Sequence, residues 1–405
     1  MKKLILLSIL LSFFMVASNL WAEDDSFSYD LQIRHRCEMD GKDFNAGTGY
    51  NDFNLLRTRL NLTFKPAKNL EALVQFQDAR IFGEESSTME GSADNLDIHQ
   101  AYFKVNKLFG LPLTLKLGRM ELSYGSQRLL GAVNWHNIGR SFDGVLLTFK
   151  SKKLSVDFFR MQVDENLRTG NVGDECFLGA YADLKLSPKY TTQAFILWQK
   201  GASSDSLSRF TAGFYAKGTL GKFRHQLEFA YQGGKLLGMD VAALMGAFNV
   251  NFTLSKKGMA PDFALGVDYM SGDGDSLDGN FKVFDTLYAT NHKFYGFMDY
   301  FTSIPGNTFG LGLMDIHAGL SVKPFKKTTA GVKYHMFKAD KSYTLPTGAT
   351  AGDFGNEIDF TCKYAYSKQL TFVVGASVFM PGKIFKTIRG EDTATWFYLM
   401  TIFNL

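Results

Sequence analysis

Apolar and polar residues alternate one by one along most of the chain. The alternation is cleanest at 56–65, 223–232 and 358–364, where nearly every second position is hydrophobic. Successive residues of a β-strand face opposite sides, so this pattern gives each strand one apolar and one polar face. Segments of about ten such residues match the roughly 9–11 residues with which a strand crosses a membrane.

The pattern predicts 18 strands and no long helix. Gly272 to Thr308 is expected to form one long loop, and the strand-like segment His292 to Phe301 is assigned to that loop because an extra strand would make the number odd. A barrel with both ends on one side of a membrane needs an even number. The predicted strands begin near residues 27, 53, 70, 96, 112, 143, 153, 175, 189, 207, 221, 241, 262, 309, 328, 355, 370 and 394.

Short and long connections take turns along the chain. The short ones are Pro66 to Asn69, Ser151-Lys152, Ser187 to Lys189, Gly218 to Gly221, Pro324 to Lys327 and Ser367 to Gln369. The long ones are Glu38 to Asp52, Gly83 to Asn95, Ser123 to Ser141, Asp164 to Asp174, Ala339 to Phe354 and Pro381 to Asp392. The prediction is an all-β fold: a closed 18-stranded antiparallel transmembrane β-barrel with short periplasmic turns and long extracellular loops. A soluble β-sandwich is the alternative.

The first 22 residues have the features of a secretory signal peptide. Lys2 and Lys3 precede an apolar run from Leu4 to Val16, and Ala22 is a small residue suited to a cleavage site. An N-terminal anchor is the alternative, although the run is short for a bilayer. Residues 23–405 are expected to form the barrel, in the bacterial outer membrane. Loss of two lysines lowers the formal charge from +4 to +2, which does not suggest a nucleic-acid partner.

The polar faces of the strands predict the lining of a water-filled channel. A Lys or Arg on the lipid side near the membrane centre would cost about 2–4 kcal/mol, so charges should face inward. The expected lumen cations are Arg34, Arg36, Arg57, Arg59, Lys104, Lys116, Arg209, Arg224, Lys333 and Lys363. The expected acids are fewer: Asp30, Glu71, Asp157, Glu228 and Asp359. The excess of cations predicts an electropositive, anion-selective pore, unless these charges only pair across the wall.

Two further groups of residues are candidates for binding or catalysis. Asp273, Asp275 and Asp278 lie close together among glycines and could bind calcium, but the segment lacks the spacing of an EF-hand loop, and a solvated turn is the alternative. The three cysteines are too widely spaced for a disulfide framework or a zinc site. The histidines show no spacing typical of metal ligands, and no acyl-transfer motif is present. We therefore expect no cofactor, and an outer-membrane enzyme is a minor alternative.

One stretch resembles a known family. Residues 118–131 (GRMELSYGSQRLLG), 134–137 (NWHN) and 139–144 (GRSFDG) are similar to the signature of the alginate export porins, and 54–60 (NLLRTRL), 75–80 (QFQDAR) and 99–103 (HQAYF) to its upstream motifs. The resemblance implies an 18-stranded monomeric barrel with an arginine-lined constriction that passes an acidic polysaccharide outward without an energy source. It implies that lumen or loop cations are Arg57, Arg59, Arg80, Arg119, Arg128 and Arg140.

Two of the candidate residues near the loop Ser123 to Ser141 conflict with the alternation. Arg119 has the parity of the apolar Leu117, and Asp143 has the parity of Val145. Either the alternation breaks at Gly118 and Gly144, as a glycine bulge would allow, or these charges lie beyond the hydrocarbon region. The loop itself either folds inward and narrows the pore or caps the barrel rim.

Two functions remain open at the level of the sequence. The first is an anion channel related to the alginate exporters, with an anionic polysaccharide as solute and periplasmic export components as partners. The second is a general nutrient porin that passes small anions or sugars inward. A barrel alone does not reveal substrate or direction, since these depend on the lining.

Overall fold

The structure is a computed structural model that describes residues 26–405, except 85–87, 89–94, 166–173, 203–205, 256 and 276. The predicted signal peptide at 1–22 lies outside the described residues. The described residues form 19 strands: β1 (Phe27–Gly41), β2 (Asn51–Ala67), β3 (Leu70–Ile81), β4 (Leu96–Asn106), β5 (Leu113–Met120), β6 (Phe142–Lys150), β7 (Leu154–Asp164), β8 (Glu175–Ser187), β9 (Tyr190–Lys200), β10 (Leu207–Leu220), β11 (Phe223–Leu236), β12 (Met239–Thr253), β13 (Asp262–Met270), β14 (Asn280–Phe281), β15 (Leu313–Val322), β16 (Thr328–Thr344), β17 (Thr350–Ala365), β18 (Leu370–Pro381) and β19 (Ala394–Asn404).

Eighteen of these strands close into a barrel. Each pairs with its neighbours in antiparallel register, and β1 pairs with both β2 and β19, which leaves the sheet without an edge. The two-residue β14 is not part of the wall; it pairs in parallel with the end of β12. Closure satisfies the backbone hydrogen bonds of every wall strand, which a bilayer requires. The 18-stranded antiparallel barrel is therefore confirmed.

The strand positions follow the sequence pattern closely. The largest differences are at the predicted starts near 355 and 309, where the strands begin at Thr350 and Leu313, and the other starts differ by two residues or fewer. The segment 292–301 contains only a short 3-10 turn, so assigning it to a loop was correct. The described helices are short, and none combines the length and apolar character needed to cross a membrane.

The outer face of the barrel is apolar. On β11, Leu227, Phe229 and Tyr231 are exposed, whereas the intervening Glu228, Ala230 and Gln232 are buried. The same alternation occurs on β13, where Phe263, Leu265 and Val267 are exposed. Exposed hydrophobic side chains on every second position are what a surface in contact with lipid requires.

Two loops fold into the barrel. Inner loop A comprises residues 121–141, between β5 and β6, and inner loop B comprises residues 271–312, between β13 and β15. Inner loop A contacts β2 through Asn134 and contacts β13, on the other side of the barrel, through Arg128. A loop can contact two opposite walls only through the interior, so of the two predicted arrangements the inward one is observed.

Several predicted long connections are shorter in the structure. The predicted loop Ala339 to Phe354 is mostly strand, because β16 runs to Thr344 and β17 starts at Thr350. Likewise β1 extends to Gly41, so the first four residues of the predicted loop at Glu38 to Asp52 belong to the strand. The connection between β11 and β12, which was not among the predicted long ones, consists of residues 237–238. Strand ends that reach beyond the bilayer have water on both faces, so their sequence need not alternate.

Candidate functional site

Four arginines form a cluster on the inner wall. Arg34 and Arg36 alternate with outward residues on β1, and Arg57 and Arg59 do so on β2. Arg34 lies directly across the strand pair from Arg57. All four are buried. The polar face of two adjacent strands thus concentrates four guanidinium groups in one patch, as the sequence predicts.

Among the described residues, two carboxylates pair with this arginine cluster. The Arg36 Nε lies 2.6 Å from Glu38 Oε1, and the Arg59 Nη1 lies 3.2 Å from Glu121 Oε1. Glu38, which the sequence pattern assigned to a loop, is on β1, and Glu121 begins inner loop A. Four guanidinium groups facing two carboxylates leave this patch with an excess of positive charge.

The other two arginines of the cluster bind inner loop A through its backbone. Arg34 donates to the Asn134 carbonyl at 2.6 Å and to the His136 carbonyl at 3.1 Å. Arg57 donates to the same two carbonyls at 3.1 and 3.2 Å, and its buried Nε has no partner. Neutral carbonyls hold the loop but cancel no charge, so Arg34 and Arg57 keep a positive charge that no hydrogen-bonded carboxylate of the described residues neutralises.

Trp135 anchors inner loop A above the arginine cluster. The Arg36 guanidinium lies 4.0 Å from the centre of its ring, and His292 of inner loop B stacks on it at 4.2 Å. Next to Trp135, partial burial and the charge of Arg36 lower the pKa of His136. The Nδ1 atom of His136 therefore accepts a hydrogen bond from the Ile138 amide at 3.3 Å. The two inner loops therefore meet at Trp135.

Arg128 connects inner loop A to the opposite wall. Its guanidinium lies 2.7 Å from Asp268 on β13 and 3.7 Å from Glu228 on β11, and all three side chains are buried. Burial alone would lower the pKa of Arg128, but Asp268 and Glu228 raise it above the ordinary value. Arg128 is thus a permanent cation that is matched by two acids.

The remaining predicted cations have separate positions along the interior. Lys104 pairs with Glu71 at 3.2 Å, and Arg209 pairs with Asp285 of inner loop B at 2.6 Å. Arg140 is a residue of inner loop A that donates to the Ala289 carbonyl at 3.1 Å. By strand alternation, the inward side chains also include Lys116, Arg224, Lys333 and Lys363.

Three predicted lumen residues lie on the outer face, and the prediction is wrong for them. The register of β5 and β6 continues without a break through the pair Gly118 and Gly144, so Arg119 and Asp143 point away from the buried Met120 and pair with each other at 2.7 Å. No bulge occurs. Arg80 faces outward on β3 and pairs with Asp78. The resemblance identified these residues but carried no information about the face they occupy.

The inner wall carries more acidic residues than we predicted from the sequence pattern. Asp268, Asp315 and Glu357 were missed, although they alternate with exposed apolar residues on β13, β15 and β17. Together with Glu228 and Asp359 they form a buried set that we call the acidic wall. Strand parity alone would have found all three. The interior therefore has a basic side at β1 and β2 and an acidic side at β11–β17.

The three aspartates considered for calcium each act within a turn. Asp273 accepts from the Asp275 amide at 3.0 Å, Asp275 from the Leu277 amide at 3.1 Å, and Asp278 from the Asn280 amide at 2.9 Å. Asp278 also forms an ion pair with Lys282. These contacts are those of the solvated-turn alternative.

A closed barrel with an apolar outer face and a charged interior defines a bacterial outer-membrane channel protein. The chain matches the alginate export family over residues 25–398 and belongs to it. No match was found among curated proteins. The fold is similar to that of Pseudomonas aeruginosa OccK11 (OpdR), with a TM-score of 0.65, 14% identity, and coverage of 94% of this chain and 96% of that one.

Two other solved barrels from Pseudomonas aeruginosa give the same result. For OccK10 (OpdN) the TM-score is 0.64 at 12% identity, with coverage of 94% of this chain and 99% of that one. For OpdK, solved with vanillate, the TM-score is 0.60 at 13% identity, with coverage of 93% and 98%. At identities this low, the similarity shows a shared fold and nothing more. The family and these neighbours together identify a passive outer-membrane channel, and neither is a family of enzymes.

Proposed function

We propose that this channel passes anionic solutes, with an acidic polysaccharide of the alginate type as its cargo. The observation that carries the proposal is the arginine cluster, in which the hydrogen bonds of Arg34 and Arg57 to the described residues include no carboxylate. Arginine presents a planar fork that matches a carboxylate. A polymer of uronic acids carries one carboxylate per sugar and would meet these groups in turn.

The electropositive character belongs to one side of the lumen in this proposal. The basic side at β1 and β2 attracts the carboxylates, while the acidic wall, which runs from β11 on the opposite side to β17 near β1, repels them. A solute would therefore be held against β1 and β2 by both walls, since low-dielectric surroundings strengthen such fields. This refines the expectation of a generally positive lumen.

The orientation follows from the lengths of the connections. We propose that the short turns, such as 68–69 and 221–222, face the periplasm and that the side carrying residues 42–50 and 382–393 faces outward. Both inner loops would then enter from the outside. As the resemblance to the exporters implies, the working form would be a monomer that receives its cargo from periplasmic components.

The test is the ion selectivity of the purified channel in planar bilayers. Reversal potentials in a salt gradient should show preference for anions, and replacing Arg57 and Arg59 with Ala should lower that preference while the barrel still assembles. The control is Lys65→Ala on the same strand. Lys65 is exposed near the turn, so this change should leave the anion preference close to that of the wild-type channel. A cation preference of the wild-type channel would overturn the proposal.

The nature of the cargo needs a second measurement. Polymannuronate should block the current, whereas a neutral glycan of the same length should not. Equal block by both polymers would mean that the channel selects by size instead of charge. Loss of the polymannuronate block in the variant without Arg57 and Arg59 would place the contact between polymer and channel at these two arginines.

A second candidate is uptake of small organic anions. It is favoured by the filling of the interior, since inner loop B packs Phe301 and Tyr295 into a buried apolar cluster with the wall. A barrel of similar fold was solved with vanillate, a small carboxylate. Block by small carboxylates but not by polymannuronate would favour this function over export.

A further inference from the structure

Three potential metal ligands converge on the inner face of β15 and β16. Asp315 and His317 are two residues apart on β15 and therefore face the same side, and His335 of β16 lies directly opposite His317. One ligand atom from each lies within 4.8 Å of the others, and all three side chains are buried. Among the described residues this is the only such group.

The distances suit a single small cation. Asp315 Oδ2 lies 2.8 Å from His335 Nδ1 and 3.2 Å from His317 Nδ1. Zinc binds imidazole nitrogen and carboxylate oxygen at about 2.0–2.2 Å in a tetrahedron, so its ligand atoms are about 3.3–3.5 Å apart. The two oxygen–nitrogen distances would need to lengthen by only a few tenths of an ångström, and the two nitrogen atoms lie within 4.8 Å of each other.

Hydrogen bonds around His317 direct its Nδ1 atom toward Asp315. Its Nε2 lies 2.8 Å from the Asn249 Oδ1, and the Asn249 Nδ2 points to Asp268 at 3.4 Å, which fixes the orientation of the amide. With Nε2 engaged by Asn249, the Nδ1 atom faces Asp315 Oδ2 at 3.2 Å, a position from which the imidazole and the carboxylate can bind one cation.

The second histidine, His335, has a comparable setting. Its Nδ1 faces Asp315, and its Nε2 lies 3.7 Å from the carboxylate of Asp359, whose Oδ2 is buried without a hydrogen-bond partner. Metal-bound histidines usually donate their other ring nitrogen to a carboxylate or an amide oxygen. Asn249 and Asp359 occupy these two positions here.

The charge of the surroundings also favours a cation. The acidic wall supplies five carboxyl groups, and the Lys and Arg side chains that interact with it include Arg128, Lys333 and Lys293. The carboxyl groups therefore outnumber these cations. Buried charges are normally paired or coordinate a metal.

We propose that Asp315, His317 and His335 bind one divalent transition-metal ion of the zinc type, with Asn249 and Asp359 orienting the two imidazoles. Two nitrogens and one oxygen suit zinc or a neighbouring divalent ion better than calcium or magnesium, which prefer oxygen alone. The ion ties β15 to β16 within the acidic wall. This site is independent of the proposed anion path at β1 and β2.

The test measures zinc bound to the folded full-length mature barrel. Because the ligands are buried, the chain is refolded into detergent with Zn²⁺ present, freed of excess metal by gel filtration and analysed by mass spectrometry. One zinc per chain is expected. His317→Gln and His335→Gln should each abolish stoichiometric zinc, whereas His225→Gln, on the outer face, should retain it.

Affinity measurements and spectroscopy distinguish a bound metal ion from a proton shared between the same side chains. Asn249→Ala should weaken zinc binding by about 10–100-fold in competition with a chromophoric chelator. Cobalt in place of zinc should give the visible absorption of a nitrogen- and oxygen-bound ion, lost in His335→Gln. Zinc at background level in the folded wild-type chain would overturn the proposal. Equal loss in His225→Gln would also overturn it, since the metal would then be adventitious.

Discussion

At the scale of single residues, Arg128 holds inner loop A against the acidic wall. Its side chain is buried between Asp268 and Glu228, so its removal leaves two carboxylates without their partner. Loss of one member of a buried ion pair costs about 3–5 kcal/mol. We expect Arg128→Gln to lower the free energy of unfolding by this amount, measured by denaturant titration of the barrel in lipid vesicles.

The matched control for Arg128 is Arg224. It also pairs with an aspartate, Asp262, at 2.6 Å, but its side chain is 46% exposed. Exposed ion pairs contribute about 0–1 kcal/mol. Arg224→Gln should therefore change stability little. An equal effect of both substitutions would show that Arg128 does not form the buried ion pairs with Asp268 and Glu228 that the distances indicate.

Residue positions on the strands could be predicted from the sequence wherever alternation was used, whereas the family resemblance placed the loop residues Arg128 and Arg140 correctly but not the strand residues Arg80 and Arg119. Arg34 and Arg57 were placed inside because their apolar neighbours must meet lipid. Arg80 and Arg119 were misplaced because a motif resemblance suggested them, although parity pointed outward. The pair His317 and His335 was invisible to spacing along the chain, since 18 residues separate them and only the hairpin register brings them together.

At the scale of elements, β4, β5 and β6 approach each other closely at a pair of glycines. Gly118 has a φ of +128°, and a Cβ atom there would lie 2.2 Å from the Ala101 carbonyl oxygen of β4. Such strain costs about 1–3 kcal/mol. Gly118→Ala should lower the free energy of unfolding by this amount, as read from the denaturant midpoint of the refolded barrel.

Gly246 on β12 is the control for the glycine prediction. A Cβ atom there meets nothing within 4 Å, and its φ is not in the left-handed region. Gly246→Ala should leave the free energy of unfolding within about 1 kcal/mol of wild type. If both alanine variants unfold at the same denaturant concentration, the close approach of β4 and β5 is not as described.

The position of inner loop A depends on Trp135. Its removal would forfeit a cation–π contact with Arg36, of about 0.5–2 kcal/mol, and aromatic contacts with His292 and Tyr398, of about 0.5–1.5 kcal/mol each. We expect Trp135→Ala to free the loop and to raise the single-channel conductance and its fluctuation in planar bilayers.

The control for the loop prediction is a tryptophan on the outer face of the barrel. Trp198 faces outward on β9 with a large exposed fraction, so Trp198→Ala should leave the conductance unchanged. An unchanged conductance in Trp135→Ala would mean that inner loop A does not narrow the path of the ions.

Elements were predictable in the membrane and less so beyond it. Alternation indicated the strand starts because lipid imposes a period of two on the wall. Outside the bilayer that constraint ends, so the extension of β16 to Thr344 and the tight turn at 237–238 left no signal in the sequence. The inward folding of loop A depends on contacts such as that between Arg128 and Asp268, which are 140 residues apart.

At the scale of the whole molecule, the direction in which the barrel sits decides from which side a solute meets the arginine cluster. Residues 42–50 and 345–349 lie at one end of the barrel, and 68–69 and 366–369 lie at the other, because successive connections alternate between the ends. The short turns need only reverse the chain in the periplasm. We expect the first end to face outward.

Cysteine labelling tests this orientation in intact cells. In a background without Cys37, Cys176 and Cys362, single cysteines replace exposed residues by the changes Ala46→Cys and Thr347→Cys at one end and Lys68→Cys and Lys368→Cys at the other. A charged maleimide that cannot cross the outer membrane should label the first pair directly and the second pair only after permeabilisation. The reverse pattern would place the inner loops on the periplasmic side, and a solute leaving the cell would then meet them before the arginine cluster.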